Sequence, residues 1–141
     1  MENIEYLKKQ ISIMINLFNA KKFDEIINKG AVLLKKYPEH AILYNITALA
    51  YNAVGKAAEA KKILIKILKE EPNNISVLNN LGLASVELND NDHAEEYYNK
   101  ALKLKSDFPD ALINLGNLKM TQNKNEEAKN QFKEQAAKIS N

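Results

Sequence analysis

At 141 residues the chain has the length of one domain, and a composition 45% hydrophobic and 27% charged is that of a folding chain, not a disordered one. A net charge of +2 excludes a strong field for nucleic acid or acidic membranes, and all 20 basic residues are lysine, so the bidentate arginine fork for phosphate, carboxylate or guanine is missing. The absence of cysteine excludes disulfides, thiolate metal sites and a cysteine nucleophile.

The first apolar run, Ile11 to Phe18, is interrupted by Ser12 and Asn16 and followed directly by Lys21 and Lys22. No small-residue cleavage site follows it, so it does not read as a secretory leader. No segment reaches the ~20 apolar residues of a membrane span. A soluble, cytoplasmic protein is the expectation.

From Leu7 onward the sequence falls into rows of 34 residues beginning at Leu7, Ala41, Ile75 and Pro109. Leu78-Asn79-Asn80-Leu81-Gly82 returns as Leu112-Ile113-Asn114-Leu115-Gly116. One later column reads Ile26, Ala60, Ala94, Ala128, and another reads Gly30, Leu64, Tyr98, Phe132. Each row carries two stretches with apolar residues at i, i+3, i+4 spacing, which predicts two helices per row and eight in all. Gly55, Asn89 and Asn123 share the column after the first helix, and these are residue types that accept a left-handed C-terminal cap. Pro38 and Pro72 stop the second helix, because the residue before a proline is pushed out of helical geometry. Gly82, Gly116 and the alanine column admit a neighbouring helix at close range, so a bulky side chain at Gly82 should overpack the pair.

Leu81-Gly82 and Leu115-Gly116, Tyr44 and Tyr51, the alanine column, Tyr98 and Phe132, and Pro38 and Pro72 together resemble the tetratricopeptide repeat (TPR) signature. Row one departs from it, with Met14, Ile26 and Gly30 where small, small and aromatic residues are expected. The run from Asp107 to Ala128 is also similar to the repeats of O-linked N-acetylglucosamine transferases and of some TPR-containing sulfotransferases. The resemblance implies an all-α fold, a right-handed α-solenoid of about four helix-turn-helix repeats. It would be one domain, 1–141, with repeats at 7–40, 41–74, 75–108 and 109–141.

The resemblance also implies that the first helix of each pair lines a concave face. Its candidate peptide-binding residues are Asn45, Asn79, Asn80, Leu83, Asn114 and Asn117. An asparagine carboxamide offers a donor and an acceptor together and can pair reciprocally with a peptide group. Asn80 and Asn114 match a ladder column of the transferase-like repeats, while solvated surface on an asparagine-rich chain is the other reading. Replacing both by alanine is expected to leave the melting temperature unchanged and to weaken ligand capture. A terminal-carboxylate clamp is not expected, since the inward positions hold almost no cation apart from Lys8. Ile11, Ile15, Phe18, Ile46 and Leu49 form a more apolar half, read as ordinary core, as a partner groove or as a self-association surface. The terminal repeats raise the same question of a homo-oligomer.

No reaction is legible. His40 and His93 lie too far apart in the pattern to share a metal, and the acidic pairs fall at helix N-termini, where they complement the helix dipole. Asp90-Asn91-Asp92 lacks the glycine and the later glutamate of a calcium loop. There is no phosphate-cradling loop or nucleophile elbow. No catalytic residue, metal or cofactor is expected, and neither nucleic acid nor membrane as a partner. The expected function is a non-enzymatic protein–protein interaction scaffold binding a peptide or partner protein in its groove. A substrate-recruiting region of a larger transferase and a self-associating structural module are the alternatives.

Overall fold

A computed structural model describes residues 2–140. Among the described residues there are seven helices: α1 (Glu2–Asn19), α2 (Phe23–Lys36), α3 (Ala41–Ala53), α4 (Ala57–Glu70), α5 (Ile75–Glu87), α6 (Asn91–Leu104) and α7 (Pro109–Ser140). Each helix packs on the next, and the first helices also lie side by side, α1 on α3, α3 on α5 and α5 on α7. The result is a stack of antiparallel hairpins, all-α as expected. None of the described helices is long and apolar enough to cross a membrane.

The turns keep the 34-residue period. Lys21, Gly55 and Asn89 have φ of 59°, 80° and 61°, one left-handed residue at the same place in each of the first three hairpins. There the chain leaves one helix and reverses into the next. Asn74 and Asp90 cap α5 and α6 by accepting from the amides of Val77 and His93, at 3.1 and 3.3 Å. α2 ends two residues before Pro38 and α4 two residues before Pro72. Pro109 opens α7, where a missing N–H is harmless.

The third hairpin shows what the small columns are for. Gly82 lies under the ring of Tyr98, so close that a Cβ would stand 2.6 Å from Cδ1. Tyr98 is buried against Ala94 and Leu118. Its burial, with the charge of Glu87 adding, pushes the phenol up to about 12.

The first hairpin reaches the same end with the sizes exchanged. Met14 and Ile26 are fully buried where later repeats have small residues, and Gly30 is buried where they have Leu64 or Tyr98. The space above Gly30 is taken by Thr47 of α3, whose Oγ1 and Cγ2 would collide with an added Cβ. Large-for-small and small-for-large substitutions conserve the volume that the core needs. Row one's departures from the signature are therefore coordinated.

The fourth repeat differs from expectation. Asn123, in the column of left-handed residues, stays helical, and α7 runs through it for 32 residues. For that reason there is no separate eighth helix among the described residues, leaving about three and a half repeats. The run Thr121-Gln-Asn-Lys-Asn-Glu-Glu-Ala128 contains no glycine or proline, so continuing the helix costs only weak propensity. In the first three repeats the second helix sits between its own first helix and the next one, as α6 does between α5 and α7. No described helix plays that second part for residues 124–140.

Candidate binding face

The face shared by the first helices holds a hollow of about 290 Å³ lined by Ile42, Asn45, Ile46 and Leu49 of α3, Ser76, Asn79 and Asn80 of α5, and Phe108 and Asp110 at the start of α7. Five of these, Asn45, Ile46, Leu49, Asn79 and Asn80, are residues that the row pattern singles out. The hollow is apolar along α3 and carries carboxamides along the α3–α5 seam.

The carboxamides are not free side chains. Asn80 Nδ2 donates to Asn45 Oδ1 at 2.9 Å, and Asn114 Nδ2 donates to Asn79 Oδ1 at 3.0 Å. Each rung joins two neighbouring repeats and spans 35 residues, one more than the period. Asn79 and Asn80 are consequently buried, at 5% and 7% exposure. This geometry argues against the expectation that alanine at Asn80 and Asn114 leaves stability untouched, because the double variant removes the donors of both rungs. Each rung uses one N–H of one amide and one lone pair of the other, and a carboxamide carries more capacity than that.

The remaining candidates separate. Asn114 is half-buried by its rung, Leu83 is half-buried and Asn117 exposed, and neither Leu83 nor Asn117 lines the hollow. Ile11, Phe18 and Ile46 pack on the N-terminal core around Met14, Ile26 and Leu43, with Phe18 and Phe23 edge-to-face at 5.4 Å. Ile15 is exposed. The five apolar residues thus do not share one groove: Ile46 and Leu49 reach the hollow, Ile11 and Phe18 belong to the core. Asn52, also on α3, has both carboxamide atoms buried without a hydrogen-bond partner.

Ile42, Ser76, Phe108 and Asp110 are residues of the hollow that the sequence reading missed. Ile42, Ser76 and Asp110 occupy the second place of rows two, three and four, so the 34-residue column was available as a signal. Asp110 also means that the hollow has a carboxylate and no lysine in its lining. Among the described residues no group of three or more His, Asp or Glu side chains is arranged to hold a metal ion.

Solved structures share this architecture. The first TPR domain of human RPAP3 is 19% identical with a TM-score of 0.76, over 84% of this chain and 93% of that one. The Sgt2 TPR domain from Aspergillus fumigatus is 23% identical with a TM-score of 0.75, over 87% and 81%. The first TPR of Spaghetti (RPAP3), solved bound to the HSP90 peptide SRMEEVD, is 19% identical with a TM-score of 0.72, over 80% and 90%. No curated protein sequence matches the chain. The family model of the Psidin N-terminal TPR repeats region matches residues 9–137. With its hairpins, turns and repeat period in agreement, the chain belongs to that family of TPR proteins.

Proposed function

We propose that the chain is a non-enzymatic interaction scaffold that holds an extended peptide segment of a partner protein across the first-helix face. The observation carrying this reading is the hollow itself, where Ile42, Ile46 and Leu49 offer apolar contact beside the Asn45–Asn80 rung. Apolar side chains of the peptide would enter it, and its backbone would use the hydrogen-bonding capacity that the rungs leave over. The likeness to a TPR domain solved with a bound peptide supports the mode of binding.

The chemistry of the lining argues for a different peptide. SRMEEVD ends in acidic residues, and an acidic tail meeting Asp110 without a facing lysine would be repelled. A neutral or basic segment with apolar side chains fits. The asparagine placement shared with the transferase-like repeats supports the same choice, since an amide ladder grips backbone and needs no terminal carboxylate.

The test is selection from a displayed random peptide library, with affinities measured by fluorescence anisotropy. Selected peptides should be apolar and neutral or basic, SRMEEVD should not bind, and Ile42→Glu should weaken capture while keeping the fold, because Ile42 is 51% exposed. Unchanged affinity for Ile42→Glu and Leu49→Glu would remove the hollow from consideration.

A further inference from the structure

On α3 the residues Tyr44, Thr47 and Tyr51 fall on the side of the helix turned away from Ile42, Ile46 and Leu49. They floor a second hollow, of about 440 Å³, in the seam between α2 and α4, with Ala31 of α2 and Ile63 of α4 among its walls. One row further on the same columns hold larger side chains: Ile65 for Ala31, Leu81 for Thr47 and Tyr97 for Ile63. There Ile65 and Tyr97 pack on the core that contains Leu81. Three shorter side chains leave the α2–α4 seam unfilled. Its polar groups are few. Tyr44 is fixed by donating its hydroxyl to the Pro38 carbonyl at 2.8 Å. Thr47 is 1% exposed, and its Oγ1 has no hydrogen-bond partner. Lys35 and Lys66 stand exposed at the rim, and among the described residues neither is ion-paired. No carboxylate lines this hollow, whereas the concave one has Asp110 and no lysine.

We propose that the α2–α4 hollow is a binding site, separate from the peptide face, for a small aromatic carboxylate that carries a second polar group on its ring. The volume is that of a small-molecule site, and so is the lining, apolar with a few polar groups. The ring would lie over Tyr44 and Tyr51, between Ala31 and Ile63. Its carboxylate would stay at the rim, where Lys35 and Lys66 act as compact charges and impose no bidentate geometry. The ring's polar substituent would meet Thr47 below. A buried hydroxyl without a partner costs free energy, and a guest that pairs with it removes that cost. Threonine takes two rotamers in a helix, so this hydroxyl can turn toward the guest.

The full chain, isotope-labelled, is titrated with para-hydroxyphenylacetate up to about 10 mM, the range in which so small a ligand binds, and its amide signals are followed by NMR. Saturable shifts are expected at Ala31, Lys35, Thr47, Ile63 and Lys66, with Asn80 and Asn114 on the concave face unmoved. The matching amide, para-hydroxyphenylacetamide, keeps the ring and loses the charge, and should bind roughly fivefold more weakly. Lys35→Gln with Lys66→Gln should bring the acid down to the level of the amide. Ala31→Ile, the side chain of the next row, should reduce binding about tenfold or more by filling the hollow, with melting preserved because position 31 is exposed. Thr47→Val should raise the melting temperature and weaken para-hydroxyphenylacetate to the level of phenylacetate, since it keeps the shape and removes the hydroxyl. The absence of saturable shifts around the hollow would overturn the proposal, as would equal affinity for the acid and its amide. An Ala31→Ile or Thr47→Val chain that binds the acid as well as the parent does would overturn it too.

Discussion

The first and fourth repeats fail in opposite ways to do what their sequences suggest. The first breaks the signature at three positions and is closed, with Met14, Ile26 and Gly30 all buried. The fourth keeps glycine, alanine and aromatic in place and is open, with Gly116, Ala128 and Phe132 all exposed. A consensus residue is therefore not a packed residue. Closure needs volumes that complement one another and a helix on each side to press them together, and α2 has α1 and α3 where residues 124–140 have neither equivalent.

The sharpest way to break this contrast is to truncate the aromatic in each of the two repeats that share the signature. Tyr98→Ala should cost about 3–5 kcal/mol in chemical denaturation, while Phe132→Ala should change the stability of the single chain by less than about 0.5 kcal/mol. Similar losses at both sites would mean that the fourth repeat is closed after all. Tyr98 also gives a spectroscopic check. Its folded pKa of about 12 lies above the unfolded value of 10.0, so the folded state holds the phenolic proton more tightly. The stability from that proton is complete below pH 10 and is lost as pH rises from there towards 12. Alkaline titration at the phenolate absorption band should show one tyrosine ionising late, together with unfolding, and Tyr98→Phe should remove that step.

A smaller effect tests the exchange of sizes in the first repeat. Gly30→Ala should cost roughly 1–3 kcal/mol, because the new methyl meets Thr47. Thr47→Ala in the same chain should recover most of it, since it vacates the space and removes a buried hydroxyl without a hydrogen-bond partner. Additive losses in that double-mutant cycle would show that the two positions do not share one space. Smallest is the rung: Asn80→Ala should cost about 1 kcal/mol, and a cycle with Asn45→Ala should return most of that as coupling.

The sequence made the repeating units legible because helix periodicity, left-handed caps and prolines are local signals. Those signals alone place Leu81, Gly82, Ala94 and Tyr98 in their columns. Three things could not. The rungs were hidden because rows aligned at 34 set Asn80 over Asn114, whereas the bonds run diagonally, from Asn45 to Asn80 and from Asn79 to Asn114. The buried state of Met14 and Gly30 was hidden because each is anomalous alone and sensible only beside the other and Thr47. The straightness of α7 was hidden because Asn123 is compatible with either a left-handed cap or a helix interior, and the choice belongs to its neighbours.

The diagonal rungs also bear on how the array yields under load. A hydrogen bond has a narrow range of lengths and directions, so Asn45–Asn80 and Asn79–Asn114 resist α3, α5 and α7 slipping past one another. Between α1 and α3 the corresponding places hold Ile11 and Ile46, and greasy surfaces glide with little penalty. The molecule is thus pinned across α3, α5 and α7, the three helices that line the hollow, and carries its compliant seam away from it, between α1 and α3.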